Sequence, residues 1–547
     1  MPWSGFQDHS AAVLAGIART AQRGSLTDRR HRLGARYAVA VDSLTLPTLA
    51  KIKKELTLTP KTGPGGKRKR ATTTSKRAAA TPHNSTDAPE KDPSFQVWVY
   101  HGAEAGRGAF IDVPRYYGTS AFGIPCDEGD RRVLGSPLGA EVHFTGVLKS
   151  GGPYQVEAVT AVEAVLRSPL GGGMVQLGCG QGKTVCAIAL AARLGRRTAI
   201  LINNGKTLLP QWVERLGQFL PGARVGVIRG AKNDLADPSV DVVVCLIQSL
   251  AKRQYEAALM DTVGTLIVDE CHHIGAPVFA QSLRQFRARY TLGLSATPDR
   301  KDGLRSYVEW LLGPVVVCCP TDFRRVRVLR YTYADSKVEA HESARNKDHL
   351  QRCLMVNDAV RDQARTLLLL RVLFNVVKES SRSVLVLTER VQQVDDFARH
   401  LFTSGFTEGV ARLHAGVPRE EVMAASQVRV VVANYPMASE ALDHPHLDTI
   451  VCLTPMVGFI EQVVGRIVRV APRKRVPLVV DLVDPVGLFA GMARTRARWE
   501  RGVEVAGVKE VAVDKSVLVN QAAWDAAKPS AVVGEWLAMP DPWNLEE

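Results

Sequence analysis

The feature that most constrains this chain is a twofold series of short apolar runs alternating with helical stretches, the pattern of parallel α/β sheets. The first series falls at 174–177, 198–202, 241–247, 264–269 and 290–294, and the second at 383–388, 428–433, 448–453 and 476–482. Each run is short and mostly apolar, so it suits a strand covered on both faces. The chain therefore reads as two αβ halves in series, without an evident sequence repeat at the spacing of roughly 20–50 residues that marks solenoids.

A glycine-rich segment follows the first run: Leu177-Gly178-Cys179-Gly180-Gln181-Gly182-Lys183-Thr184. It opens a helix expected over 184–194. Glycines let successive backbone N–H groups turn inward around phosphates at a helix N-terminus. Lys183 can then reach the β and γ phosphates of ATP, and the Thr184 hydroxyl is placed to ligate Mg²⁺. Leu177 stands where the strict phosphate-loop pattern has its first glycine.

In a matching acidic motif, Thr265-Leu266-Ile267-Val268-Asp269-Glu270-Cys271-His272, Asp269 lies 86 residues after Lys183. An apolar strand here ends in adjacent carboxylates. Asp269 suits a role at Mg²⁺, and Glu270 suits orientation and deprotonation of an attacking water. A further strand end, Leu294-Ser295-Ala296-Thr297, comes next. In the second half, Arg466 and Arg469 are three residues apart on an expected helix and would share one face. A cation delivered to the transferred phosphoryl is worth about 10³–10⁵ in rate.

With GCGQGKT, DECH, SAT and Gln462-Val463-Val464-Gly465-Arg466-Ile467-Val468-Arg469 in order, the chain resembles the superfamily 2 helicases and translocases. Leu292-Gly293-Leu294-Ser295-Ala296-Thr297-Pro298-Asp299-Arg300-Lys301-Asp302-Gly303 is similar to a segment of the XPB-type branch. Val113-Pro114-Arg115-Tyr116-Tyr117-Gly118, Phe144-Thr145-Gly146-Val147-Leu148 and Tyr154-Gln155 resemble the leading region of helicases from large DNA viruses. The resemblance spans about 110–500 and implies two tandem RecA-like parallel-sheet domains, preceded by a mixed α+β domain and followed by a short extension. It implies ATP hydrolysis in a cleft between 150–312 and 313–500, with Gln155 and Asp443 also at the nucleotide. His272, Ser295, Thr297 and Gln462 would couple the site to its partner half, Gln462 reaching toward His272. Nucleic-acid contacts are implied at Asn204, Lys206, Gln248, Ser249, Thr388, Arg390 and His414. Ala441 departs from the family, which has glycine there; a backbone needing positive φ would be strained and turnover slowed.

Around these motifs the chain divides into an N-terminal helical segment 1–60, with helix-like spacing in 11–23 and 44–56, and a basic disordered linker 61–93. A small β-rich domain at 94–145 comes next, then the two αβ domains at 146–312 and 313–503. A tail at 504–547 carries Trp524, Trp536 and Trp543 without an evident place in the fold. The linker is dominated by Gly, Pro, Thr, Ser and charge and cannot pack a core. The net charge of +15 points to a polyanionic partner. Residues 1–95 hold 17 basic against 7 acidic residues, so most of the excess lies outside the expected motor. Arg324, Arg325, Arg327 and Arg330 read as a solvated basic strand face. Nine cysteines without a CxxC argue against a zinc cluster or disulfide framework and for reduced intracellular thiols. No apolar stretch is long enough to span a membrane.

The expected function is ATP-dependent movement along a nucleic-acid backbone, DNA rather than RNA, in transcription or genome processing, with transcription machinery as a partner. The expected address is intracellular, in the nucleus or cytoplasm of a host cell or packaged in a virion. Two alternatives stand beside it: a slow nucleic-acid-dependent ATPase serving as an assembly factor, and the motor subunit of a nuclease complex.

Overall fold

The computed structural model describes residues 11–13, 15–16, 31–60, 94–103, 108–125, 128–150, 154–178, 180–205, 207–296, 303–319, 321–341, 348–406, 409–440, 442, 444–456 and 460–541. It falls into two compact units, Met1–Gln176 with Lys183–Cys318, and Leu177–Gly182 with Cys319–Glu547.

The first unit is built on a sheet of eight strands: β1 (Gly172–Leu177), β2 (Thr198–Ile202), β3 (Val225–Arg229), β4 (Lys232–Asn233), β5 (Val242–Leu246), β6 (Thr265–Val268), β7 (Tyr290–Ser295) and β8 (Val315–Cys319). Their order is β4-β3-β5-β2-β6-β7-β1-β8. From β3 to β1 every pairing is parallel, so the strands end at one edge. The central strands are apolar and buried along their length because helices cover both faces. β8 extends this sheet, so the first unit runs to Cys318 rather than ending at 312.

The N-terminal residues fold differently from the expected helical segment followed by a separate β-rich domain. Tyr37–Ala40 pairs antiparallel with Phe110–Val113, which also pairs with Val99–His101, while Arg32–Leu33 pairs with Tyr37–Ala40. A single four-stranded sheet thus draws strands from both sides of 61–93, and the helix Leu46–Glu55 packs with it. The expected linker itself lies outside the described residues. Arg115 fastens this sheet's following helix to the larger one: its buried guanidinium donates to Ala288 O at 3.0 Å, Thr291 Oγ1 at 3.1 Å and Phe286 O at 3.3 Å. Residues 128–145 form only isolated bridges and run along the starts of the parallel strands, as at Val133 with Ala288 and Pro137 with Arg196.

The second unit holds a seven-stranded sheet: β9 (Arg327–Tyr333), β10 (Val384–Thr388), β11 (Val410–Leu413), β12 (Val430–Asn434), β13 (Thr449–Cys452), β14 (Leu478–Val483) and β15 (Gly507–Val513). Its order, β11-β12-β10-β13-β14-β9-β15, is parallel throughout. Alternate residues of the strands feed two cores, one on each face. Both units are thus RecA-like parallel-sheet domains. The tail takes part in the second: β15 pairs with β9, and Trp524 and Trp536 are buried in its core. Trp543 lies outside the described residues.

The run Arg324–Arg330 is not a solvated face. Arg330 is buried against Asp481 at 3.5 Å, Glu510 at 2.9 Å and Glu500, Arg325 pairs with Asp541 at 2.6 Å, and Arg327 lies 4.9 Å from the Trp536 ring centroid. Among the described residues no helix is long and apolar enough to cross a membrane.

Candidate active site

Parallel strands put their C-terminal ends, and the loops that follow, at one sheet edge. In the first unit β6, β7 and β1 are consecutive, so the acidic motif and Ser295 leave the sheet beside the strand that leads into the glycine loop. The loop's turn is made by Gly180 at φ +78° and Gly182 at φ +85°, where a side chain would be strained. Gly178 N donates to Gln181 Oε1 at 2.7 Å and to Cys319 O at 3.0 Å. The helix Lys183–Leu194 starts on the last glycine, leaving Lys183 and Thr184 half-buried at its N-terminus. Cys179 lies outside the described residues, as do Thr297, Lys206, Ala441 and Asp443.

Asp269 is buried, and its carboxylate accepts from Trp212 Nε1 at 2.8 Å and from Glu270 N at 2.9 Å. Burial, then the Glu270 charge, raises its pKa to about 6, and the Trp212 hydrogen bond and Lys183 pull it back. The Lys183 ammonium is thus felt at the carboxylate pair. Glu270 has a left-handed backbone, φ +44°, which turns the chain sharply out of β6. Its Oε2 stands 3.4 Å from His272 Nδ1, which in turn lies 3.2 Å from Ser295 Oγ. The edge therefore joins Lys183, Asp269, Glu270, His272 and Ser295. Gln155 begins the helix Gln155–Arg167 and is buried, its Oε1 accepting from Lys149 N at 3.1 Å.

Trp212 is a residue the sequence reading missed. Its signal was an indole on the helix Leu208–Phe219, since a buried indole N–H needs an acceptor.

Asn204 follows β2 and Gln248 and Ser249 follow β5. These strands are neighbours, so the three residues share the same edge of the sheet. Gln248 Nε2 donates to Asn203 O at 2.7 Å, and Ser249 Oγ accepts from Gly230 N at 2.9 Å.

In the second unit Gln462 and Arg466 lie on the helix Ile460–Ile467. Arg469 falls beyond its end, so the two arginines do not share a helix face. Arg466 donates to Leu442 O at 2.8 Å and to Ser439 O, which binds it to the loop before Asp443. A Cβ built on Gly180 would stand 2.6 Å from Cγ of Arg469, within the same unit. Lys474 donates to Arg469 O at 2.6 Å and holds that backbone in place. Three expected nucleic-acid contacts are tied up locally. Thr388 is wholly buried, donates to Gln393 and accepts from Arg390 N at 3.2 Å. Arg390 donates to Cys353 O at 2.9 Å, and buried His414 stands 3.2 Å from Asp395 Oδ1.

The family described as the res subunit of type III restriction enzymes matches residues 149–300. A candidate ATP-dependent RNA helicase of Acanthamoeba polyphaga mimivirus is 29% identical over 403 residues, covering 72% of this chain and 73% of its own length. A candidate ATP-dependent RNA helicase of African swine fever virus is 25% identical, over 63% of this chain and 71% of its own. Among solved structures, the ATP-dependent Type ISP restriction-modification enzyme LlaBIII bound to DNA aligns with a TM-score of 0.49 at 15% identity, over 69% of this chain and 32% of that one. With a match to the restriction-enzyme res-subunit family over 149–300 and viral proteins named as ATP-dependent helicases among its relatives, the chain is an ATP hydrolase that resembles the superfamily 2 helicases.

Proposed function

We propose that this ATPase moves along a nucleic-acid backbone, with DNA as its track, in transcription or genome processing. The observation that carries the reading is the meeting, at one edge of the first unit's sheet, of Lys183, buried Asp269, the adjacent Glu270 and the His272–Ser295 contact. The loop and Lys183 hold the phosphates, and Glu270 orients the attacking water and takes its proton. Magnesium fits here. Two adjacent carboxylates lie in a poorly solvated corner, and Glu270 Oε2 is buried without a hydrogen bond among the described residues. Thr184 and Asp269 would hold the ion, which supplies positive charge beside the phosphate oxygens when bound. Arg469 serves as the cation on the transferred phosphoryl. Arg466, bonded to the backbone carbonyls of Ser439 and Leu442, holds those residues in place.

Asn204, Gln248 and Ser249 make up the part of the track that the first unit offers. Half-buried polar groups at a sheet edge suit phosphate contacts without base readout. The choice of DNA is supported by the resemblance of 292–303 to the XPB-type branch, while the viral relatives are named for RNA. ATPase rates with single-stranded DNA, duplex DNA and RNA, followed by strand separation on the best of them, test both points. DNA is expected to stimulate most; preferential stimulation by RNA overturns the choice of track, and no stimulation by any of them overturns the motor.

A further inference from the structure

We infer that Trp212 is a positioning residue that carries the state of the track-side residues Asn203, Asn204, Thr207 and Leu208 to the Asp269 carboxylate. The inference rests on the functional reading above. Asp269 accepts from Glu270 N, its own chain neighbour, and from Trp212 Nε1, which arrives from a different element. An indole has a single N–H fixed in the plane of a rigid ring, so the ring's position dictates where the carboxylate oxygen sits. The ring has little freedom of its own, being 2% exposed.

The start of the same helix is held by the residues expected to meet the track. Leu208 N donates to Asn204 O at 3.2 Å, and Thr207 N donates to Asn204 Oδ1 at 3.3 Å. Gln248 Nε2 reaches across from the end of β5 to Asn203 O at 2.7 Å. Trp212 follows one turn later, about 6 Å along the helix axis from Leu208. A phosphate engaging Asn204 and Gln248 competes for the bonds that set this first turn. A small shift of the helix is then enough to act on Asp269, because an N–H···O bond weakens beyond about 3.2 Å. Track occupancy reaches the metal-binding carboxylate through one side chain that touches neither ligand.

Two variants test this. Trp212→Phe keeps an aromatic ring and drops the N–H; Trp212→benzothienylalanine keeps the full shape with sulfur in place of N–H, and serves if the first does not fold. Mn²⁺ binding to the protein–ADP complex, read by electron paramagnetic resonance without turnover, is expected to weaken about tenfold, as when a metal ligand loses its supporting hydrogen bond. The ratio of nucleic-acid-stimulated to basal ATPase is expected to fall toward one. Equal Mn²⁺ affinity in parent and folded variants, or an undiminished ratio, overturns the inference. A parent protein that binds no Mn²⁺ with ADP overturns the functional reading, and the inference with it.

Discussion

At Asp269 opposing influences meet on one carboxylate. Burial and Glu270 push its pKa up to about 6, so it has reason to seek a cation, while Trp212 and Lys183 favour the ionised form. The arginines of the second unit divide in a comparable way. Arg466 satisfies the carbonyls of Ser439 and Leu442, whereas Arg469 lies past the helix end beside Gly180. Arg469→Ala should therefore keep nucleotide binding and lose about 10³-fold or more in turnover. Arg466→Ala should instead cost stability, about 1–3 kcal/mol for carbonyls left without a donor. Nucleotide titration, steady-state turnover and urea unfolding of both variants check this. The opposite assignment follows if Arg466→Ala loses turnover at unchanged stability while Arg469→Ala keeps it.

At the scale of elements, buried ion pairs in the second unit bind the C-terminal strand and the helix Gly487–Gly502 to the sheet. Arg330 on β9 meets Asp481 on β14, Glu500 on that helix and Glu510 on β15. Glu500 is buried and Glu510 exposed. Glu500→Ala is expected to destabilise the unit by about 3–5 kcal/mol because it strips a buried charge of a close partner. Glu510→Ala is expected to cost under about 1 kcal/mol. Denaturant midpoints decide between this and a uniform cost, which would make the network a surface feature.

These elements also show where the sequence was readable. The apolar runs at 198–202 and 290–294 became β2 and β7 because strands buried on both faces must be apolar along their length. β15 alternates, Gly507-Val508-Lys509-Glu510-Val511-Ala512-Val513, and its charges find partners far off in sequence, Glu510 at Arg330 across the sheet and Lys509 at Glu535, so its sequence looked like an unplaced tail. The N-terminal strands are two to four residues long, and the pairing of Tyr37–Ala40 with Phe110–Val113 spans 61–93, a separation that local pattern cannot bridge. Motif order told which residues belong to the phosphate edge, since each ends a strand. It could not reveal Trp212, whose role depends on the contact of a helix with a strand end, nor that Thr388 and Arg390 bond within their own unit.

For the whole molecule, the charge of +15 is unevenly spread: residues 1–95 carry 17 basic and 7 acidic residues. Many of the arginines beyond them are committed to internal pairs, as Arg330, Arg365, Arg382 and Arg496 are. Bulk basicity therefore says little about the ATP chemistry, which rests on a few residues at one sheet edge. The most direct measurement is single-turnover hydrolysis of prebound ATP by the Glu270→Gln protein, with bound nucleotide quantified in parallel. The account predicts ATP bound as in the parent and hydrolysis slowed by about 10²–10⁴-fold, the share of a general base. Hydrolysis at the parent's rate would contradict it.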